Sequence, residues 1–227
     1  NRSGSTIETT GTGTGNCQDT GNCSIFVPTD SDSPHSLNLF NAGTIIGNVQ
    51  LDALALNGVS LVTGSSIEGD LDMGSNASSV LGLNSAAGTV QLYSHAVTGT
   101  TTLAGLLHKI GDGTWIIDNN ELDAAGRTWI EGGTLQVGAG GTKGSIGQGD
   151  INIYDGSLVF DRSDDVSFAG EILNMGEEGS HTSLVQAGGG RLTLTGGARS
   201  LDNITIESGI LQVGNGGTSG SIDGDVV

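Results

Sequence analysis

The chain has 227 residues, 41 of them glycine and two proline, and its 35% hydrophobic content is low for a packed globule. Twenty-five acidic residues against seven basic ones leave a net charge of −18, which excludes the phosphate neutralisation that nucleic acid or anionic lipid requires. No stretch approaches the roughly 18 consecutive apolar residues of a membrane helix.

Residues 1–36 are rich in Thr, Gly, Ser and Asp and poor in apolar periodicity, which predicts an N-terminal cap or a flexible lead-in. Within it, Cys17 and Cys23 are the only cysteines, and Gly21 and Asn22 between them allow a small loop closed by a disulfide. A reduced pair is the alternative; a zinc site would need further ligands nearby. Asn1-Arg2-Ser3-Gly4-Ser5 is no signal peptide and lacks a starting Met. At the other end the chain stops where an earlier copy of the same pattern runs on into a strand, so an excised piece of a longer protein is expected.

From residue 37 onward, short strand-like runs follow one another: Leu37–Phe40, Val49–Leu51, Val59–Val62, Val80–Leu83 and Val90–Tyr93. Trp115–Ile117, Thr134–Val137, Ile151–Tyr154, Leu158–Phe160, Leu192–Leu194, Ile204–Ile206 and Ile210–Val213 continue the series. Most alternate apolar and polar residues, as in Leu192-Thr193-Leu194, which turns one row of side chains inward. Leu103–Ile110 comes nearest to a helix, and its flanking glycines argue against one. Asn57-Gly58, between two alternating runs, is a strong local hairpin signal and makes an antiparallel sandwich the second choice of fold.

The chain also repeats itself. Gly132-Gly133-Thr134-Leu135-Gln136-Val137-Gly138 returns as Ser208-Gly209-Ile210-Leu211-Gln212-Val213-Gly214, and Ile130-Glu131 returns as Ile206-Glu207. Gly113, Gly133, Gly156, Gly170, Gly190 and Gly209 each precede an apolar run, at intervals of roughly 20 residues. Such punctuation predicts an all-β parallel solenoid whose corners are glycine. At about 20–25 residues per rung it would hold roughly 9–10 rungs and form a single rod about 45 Å long. The expected division is 1–36 as cap or lead-in and 37–227 as solenoid, with repeat units near 107–151 and 184–227.

Leu107-His108-Lys109-Ile110-Gly111-Asp112-Gly113-Thr114-Trp115-Ile116-Ile117, followed by a polar loop and Gly132–Gly138, resembles the passenger-associated repeat of bacterial autotransporters. Leu184–Gly196 with Gly209–Gly214 resembles a second copy, and Phe168-Ala169-Gly170-Glu171-Ile172 is similar to the segment that often precedes one. Trp115 stands where Leu is usual and Gln186 where Lys is common. The resemblance covers residues 107–214 well, 37–106 loosely and 1–36 not at all. It implies a right-handed parallel β-helix passenger, exported to the outer-membrane surface of a Gram-negative bacterium through a C-terminal barrel.

No catalytic constellation emerges. His35, His95, His108 and His181 lack an evident Ser and Asp arrangement, and Gly64-Ser65-Ser66 and Gly144-Ser145 are turn residues. Asp30/Asp32, Asp70/Asp72, Asp164/Asp165 and Glu177/Glu178 read as solvated loop carboxylates, since neither the Gly-Gly-x-Gly-x-Asp nonapeptide of calcium-binding β-rolls nor an EF-hand loop is present. Gly111–Thr114 lacks the lysine of a phosphate loop and reads as a corner. Trp115 and Trp129 read as partly buried flank residues, with sugar platforms the second choice. The expectation is a passenger fragment with no enzymatic activity, cofactor or metal, and with no binding residue assigned. Its partners would be a host-cell surface or matrix component, or another copy of itself. The stalk of a passenger whose enzyme, such as a serine protease, lies elsewhere is the alternative, and a carbohydrate-active β-helix the third.

Overall fold

The computed structural model describes residues 5–8, 23–27, 31–120, 122–124 and 126–227. Cys17 falls outside them, and the Cys17–Cys23 loop with it.

The chain winds into a β-solenoid of about eight turns, and all pairings between described strands are parallel. Three faces run along the stack. The first holds Asn38–Asn41, Gly58–Val62, Val80–Asn84, Leu106–Ile110, Thr128–Ile130, Ile151–Ile153 and Glu171–Asn174, and the start of Gly197–Ile206. The second holds Val90–Leu92, Thr114–Ile117, Thr134–Val137, Gly156–Phe160 and Thr182–Gln186, and the end of Gly197–Ile206. The third is built from Cys23–Phe26, Asn48–Gln50, Leu71–Asp72, Thr101–Leu103 and Leu122–Ala124, and further up the rod from Val166–Phe168, Arg191–Leu194 and Ile210–Val213. Thr6–Glu8, Thr44–Ile46 and Ser66–Glu68 form a small separate sheet.

Register gives the length of a turn. Asn38 lies beside Gly58, whereas Val80 lies beside Leu106, so the later turn is the longer one. The third turn is enlarged by an excursion that carries the one described helix, Tyr93–Ala96. The steps from Asn38 to Ser221 still average about 23 residues, inside the expected 20–25. The expected 9–10 rungs follow from dividing all 227 residues, those before Asn38 included, where about eight turns form.

Alternation explains the core. On the first face, Val59, Leu81 and Leu107 stack inward in one column, and Leu61, Leu83, Ile130 and Ile153 in another. Their neighbours in sequence point to solvent, as period-2 geometry requires. The interior is one continuous apolar cluster from Ile45 to Ile204. Trp115 belongs to it, fully buried, with its ring 6.5 Å from Tyr93 and its Nε1 donating to the Asn84 carbonyl at 3.2 Å. The flank position expected for Trp115 is therefore corrected. Trp129, half-buried on the outer side of the first face, does sit at the flank.

The hairpin signal at Asn57-Gly58 does not make a hairpin. Gly58 opens a strand that pairs in parallel on both sides, and the buried Asn57 ties its own corner to residues on other parts of the stack. Its Nδ2 donates to the carbonyls of Asp52, Ala55 and Met73 at 2.8, 3.3 and 3.3 Å, while Oδ1 accepts from Leu37 N–H. An asparagine holding a solenoid corner and an asparagine in a tight turn look alike locally; only the next turn of chain distinguishes them.

Candidate binding faces

The repeated segment makes a pair of stacked corners. In the first copy Glu131 N–H donates to the Lys109 carbonyl at 3.0 Å and Thr134 N–H to the Gly113 carbonyl at 3.1 Å. In the second, Glu207 N–H donates to the Gln186 carbonyl at 2.9 Å and Ile210 N–H to the Gly190 carbonyl at 3.1 Å. Gly133 and Gly209 occupy the same left-handed backbone, φ 62° and 67°, where a side chain would also strike the glycine carbonyl one turn below.

The two copies nevertheless sit on different faces. Thr134–Val137 lies in the second face, whereas Ile210–Val213 lies in the third. The repeat thus marks a corner that is used at two different edges of the rod, not a rung. The glycines of the sequence rhythm divide in the same way. Gly133 stacks on Gly113 and Gly156 on Gly133, Gly209 stacks on Gly190, and Gly170 belongs to a third column.

Each strand after a repeat corner ends in a side-chain clamp: Gln136 and Gln212 donate to the carbonyls of Gly138 and Gly214, both at 2.8 Å. Replacing Gln136 by Ala is expected to cost about 1 kcal/mol, the net worth of one such bond, in the midpoint of chemical unfolding.

Outward side chains give each face its own chemistry. On the second face, Val90, Thr114, Thr134, Ser157, Ser183 and Asn203 form one register row. Leu92, Ile116, Gln136, Val159, Val185 and Thr205 form the other, and neither row holds a charge. The third face is acidic low on the rod. There Asp70 Oδ1 accepts from Thr100 N–H at 2.8 Å, and Asp72 Oδ2 from Gln50 Nε2 at 3.3 Å. Arg162 lies 2.8 Å from Asp164 and, bonded to it, holds that carboxyl below its usual range, and Asp165 accepts from Arg191 N–H. These carboxylates fasten corners, and among the described residues no three His, Cys, Asp or Glu side chains gather as a metal site would need. Asp30 lies outside the described residues.

The first face is aromatic. Phe40, Ser60, Gly82, His108, Trp129 and Asn152 follow one another in register on its outer side. His108 and Tyr154 meet the Trp129 ring edge to face, with centroids 5.9 and 5.7 Å away, and His108 Nε2 lies 3.1 Å from Glu131 Oε1. None of the four histidines meets a serine and an aspartate in a catalytic geometry among the described contacts: His35 and His181 bind Asp52 and Asp155 through their backbone N–H groups. The sequence alone singles out Trp129 and His108 but not Phe40, Ser60, Gly82 or Asn152 as members of this row. They come from separate turns, and their one shared signal is a spacing of one turn, which itself varies.

Set beside known proteins, residues 107–137 and 184–213 match the passenger-associated-transport-repeat family. Over 95 residues, 42% of the chain, the sequence is 42% identical to the adhesin BmaC autotransporter of Brucella suis biovar 1 (strain 1330). That match spans 2% of the length of the relative. No solved structure matches the chain.

Proposed function

We propose that the chain, which carries two passenger-associated transport repeats on a β-solenoid and is similar to an adhesin autotransporter, is a passenger region that works as a stretch of adhesive rod. It is exported and displayed at the bacterial cell surface, and it holds a host-cell or matrix component by non-covalent contacts. The observation that carries this reading is the 42% identity over 95 residues to an adhesin autotransporter. Physical support comes from the rows of outward side chains. A rod that repeats one spacing offers many weak contacts at once, and these combine by avidity.

A second target, another copy of the same chain, is favoured by the second face. Its two outward rows carry no charge in a molecule of net charge −18, so two copies can approach there with the least repulsion.

The test is attachment. Cells displaying the passenger should bind to epithelial monolayers or to each other several-fold better than cells whose passenger lacks residues 1–227. Unchanged attachment after the deletion, with display intact, would move this region to the role of a stalk that carries activity elsewhere. Hydrolysis of a peptide or polysaccharide by the 227-residue chain would overturn the non-enzymatic reading.

A further inference from the structure

Two hollows on the outer side of the first face meet at Val80. One, about 330 Å³, is lined by Phe40, Ser60, Gly82 and His108 among others. Its neighbour, about 590 Å³, lies among Leu106, Gly105, Gly126, Arg127 and Trp129. Together they form a furrow that crosses five stacked strands, from the turn of Phe40 to the turn of Trp129, a span of about 19 Å at the usual strand spacing. We propose that this furrow binds an uncharged polysaccharide chain, with sugar rings packed on Phe40 at one end and Trp129 at the other.

Aromatic rings bracket the furrow. Phe40 is 57% exposed, an unusual state for phenylalanine on a folded surface. Trp129 is held by His108 and Tyr154, so it loses little freedom when a ligand settles on it. Between the rings the floor drops, because Gly82 has no side chain. Gly82 itself is buried, and a Cβ built there would stand 3.6–3.7 Å from Asn84 Nδ2, Ser60 Oγ and the Val59 carbonyl oxygen, an ordinary contact that a side chain can make without a clash. Hydrogen-bonding groups line the walls: Asn38, Ser60 and Arg127, with Asn84 Nδ2 reaching Ser60 Oγ at 2.6 Å.

Charge selects the ligand. No Asp or Glu lines either hollow, although the chain has 25 acidic residues. A polyanion is repelled by the net charge of −18, and a polycation is better matched on the acidic third face. An extended peptide is a poor fit as well. The strands beneath pair with neighbours on both sides, so the furrow offers no free edge for main-chain pairing. A neutral sugar chain matches what is present, with apolar ring faces for the aromatics and hydroxyls for the amide, hydroxyl and guanidinium groups.

The inference names the ligand of the adhesive reading and rests on it only for the surface to which that ligand belongs. The purified 227-residue chain is tested against an array of neutral, sialylated and sulfated oligosaccharides, and its retardation is followed in gels containing neutral polysaccharide or heparin. Binding to neutral glycans is expected, at least tenfold weaker in Trp129→Ala and in Gly82→Val. Gly82→Val adds a β-branched side chain on a strand, with its Cβ in ordinary contact with Asn84, Ser60 and Val59, so it fills the furrow. An unfolding midpoint equal to the parent's is the check that the fold is kept. Gly141→Ala, at an open position that lines neither hollow, should bind as the parent does. Binding confined to sulfated or sialylated glycans, no neutral glycan bound, or binding that Gly82→Val leaves intact would each overturn the proposal. Displaying cells that still attach with Gly82→Val, after glycan binding is lost, would remove the glycan and leave the adhesive reading standing.

Discussion

Gly149→Ala is expected to destabilise the rod by about 3 kcal/mol, the upper end of the cost of overpacking, although a single methyl is added. Gly149 stands in a column with Gly105, Gly126, Gly170 and Gly196, at the corner before the first face. A Cβ on Gly149 would lie well inside 3.0 Å of the Gly126 carbonyl oxygen, and one on Gly126 equally far inside that distance of the Gly105 carbonyl oxygen. Backbone conformation is not the obstacle, since Gly149 is outside the left-handed region. What forbids the methyl is the approach of one turn to the next, and neither backbone can retreat without loosening the parallel ladder beside it. Gly141→Ala is the control. A Cβ there meets nothing within 4 Å, so its effect should stay within about 0.5 kcal/mol. Denaturant midpoints followed by circular dichroism separate the two, and equal midpoints would show that the column tolerates expansion.

That column shows what was legible in the sequence and what was not. Strands, inward alternation and glycine corners are local features, and Val59–Val62, Val80–Leu83, Trp115–Ile117 and Thr134–Val137 lie within strands, whereas Val90–Tyr93 runs into the helix that starts at Tyr93. Assignment of corners to faces depends on turn length, which changes from turn to turn as loops swell. The near-copies at 132–138 and 208–214 end on different faces, and no local pattern encodes this. The furrow was hidden for the same reason. Phe40, Gly82, His108 and Trp129 become neighbours only when the register of four successive pairings is known. Asn57 misled in the opposite direction, because its local neighbours fit a tight turn while its hydrogen bonds reach Leu37 and Met73 on other parts of the stack.

Lys109 carries the second large prediction, and its position makes the sign counter-intuitive. It points inward, fully buried, in a column with Leu61, Leu83, Ile130 and Ile153 that Asn41 and Asn174 continue at its two ends. Hydrophobic bookkeeping alone would favour Lys109→Leu. Yet Nζ donates to the carbonyls of Ile110, Gly111 and Gly132 at 3.2, 2.5 and 2.9 Å, fastening two stacked corners of the first repeat. Leucine would strand these acceptors, so Lys109→Leu is expected to cost about 3 kcal/mol. Lys109→Gln should keep most of the stability, because the second repeat already uses that solution. There the buried Gln186 donates through Nε2 to the carbonyls of Gly188 and Gly190 at 2.9 and 3.0 Å. Titration supplies an independent check. Burial lowers the Lys109 ammonium from its ordinary 10.5 to about 8, against the pull of Asp112. Between those two values the unfolded chain binds more protons than the folded one, so this residue makes stability rise with pH from about 8 to 10.5 and adds no slope below. The difference in unfolding free energy between the parent and Lys109→Gln, measured across that window, should therefore grow in favour of the parent. A difference that stays flat would mean that the three carbonyls hold the lysine charged, and a fully stable Lys109→Leu would mean that the clamp contributes nothing.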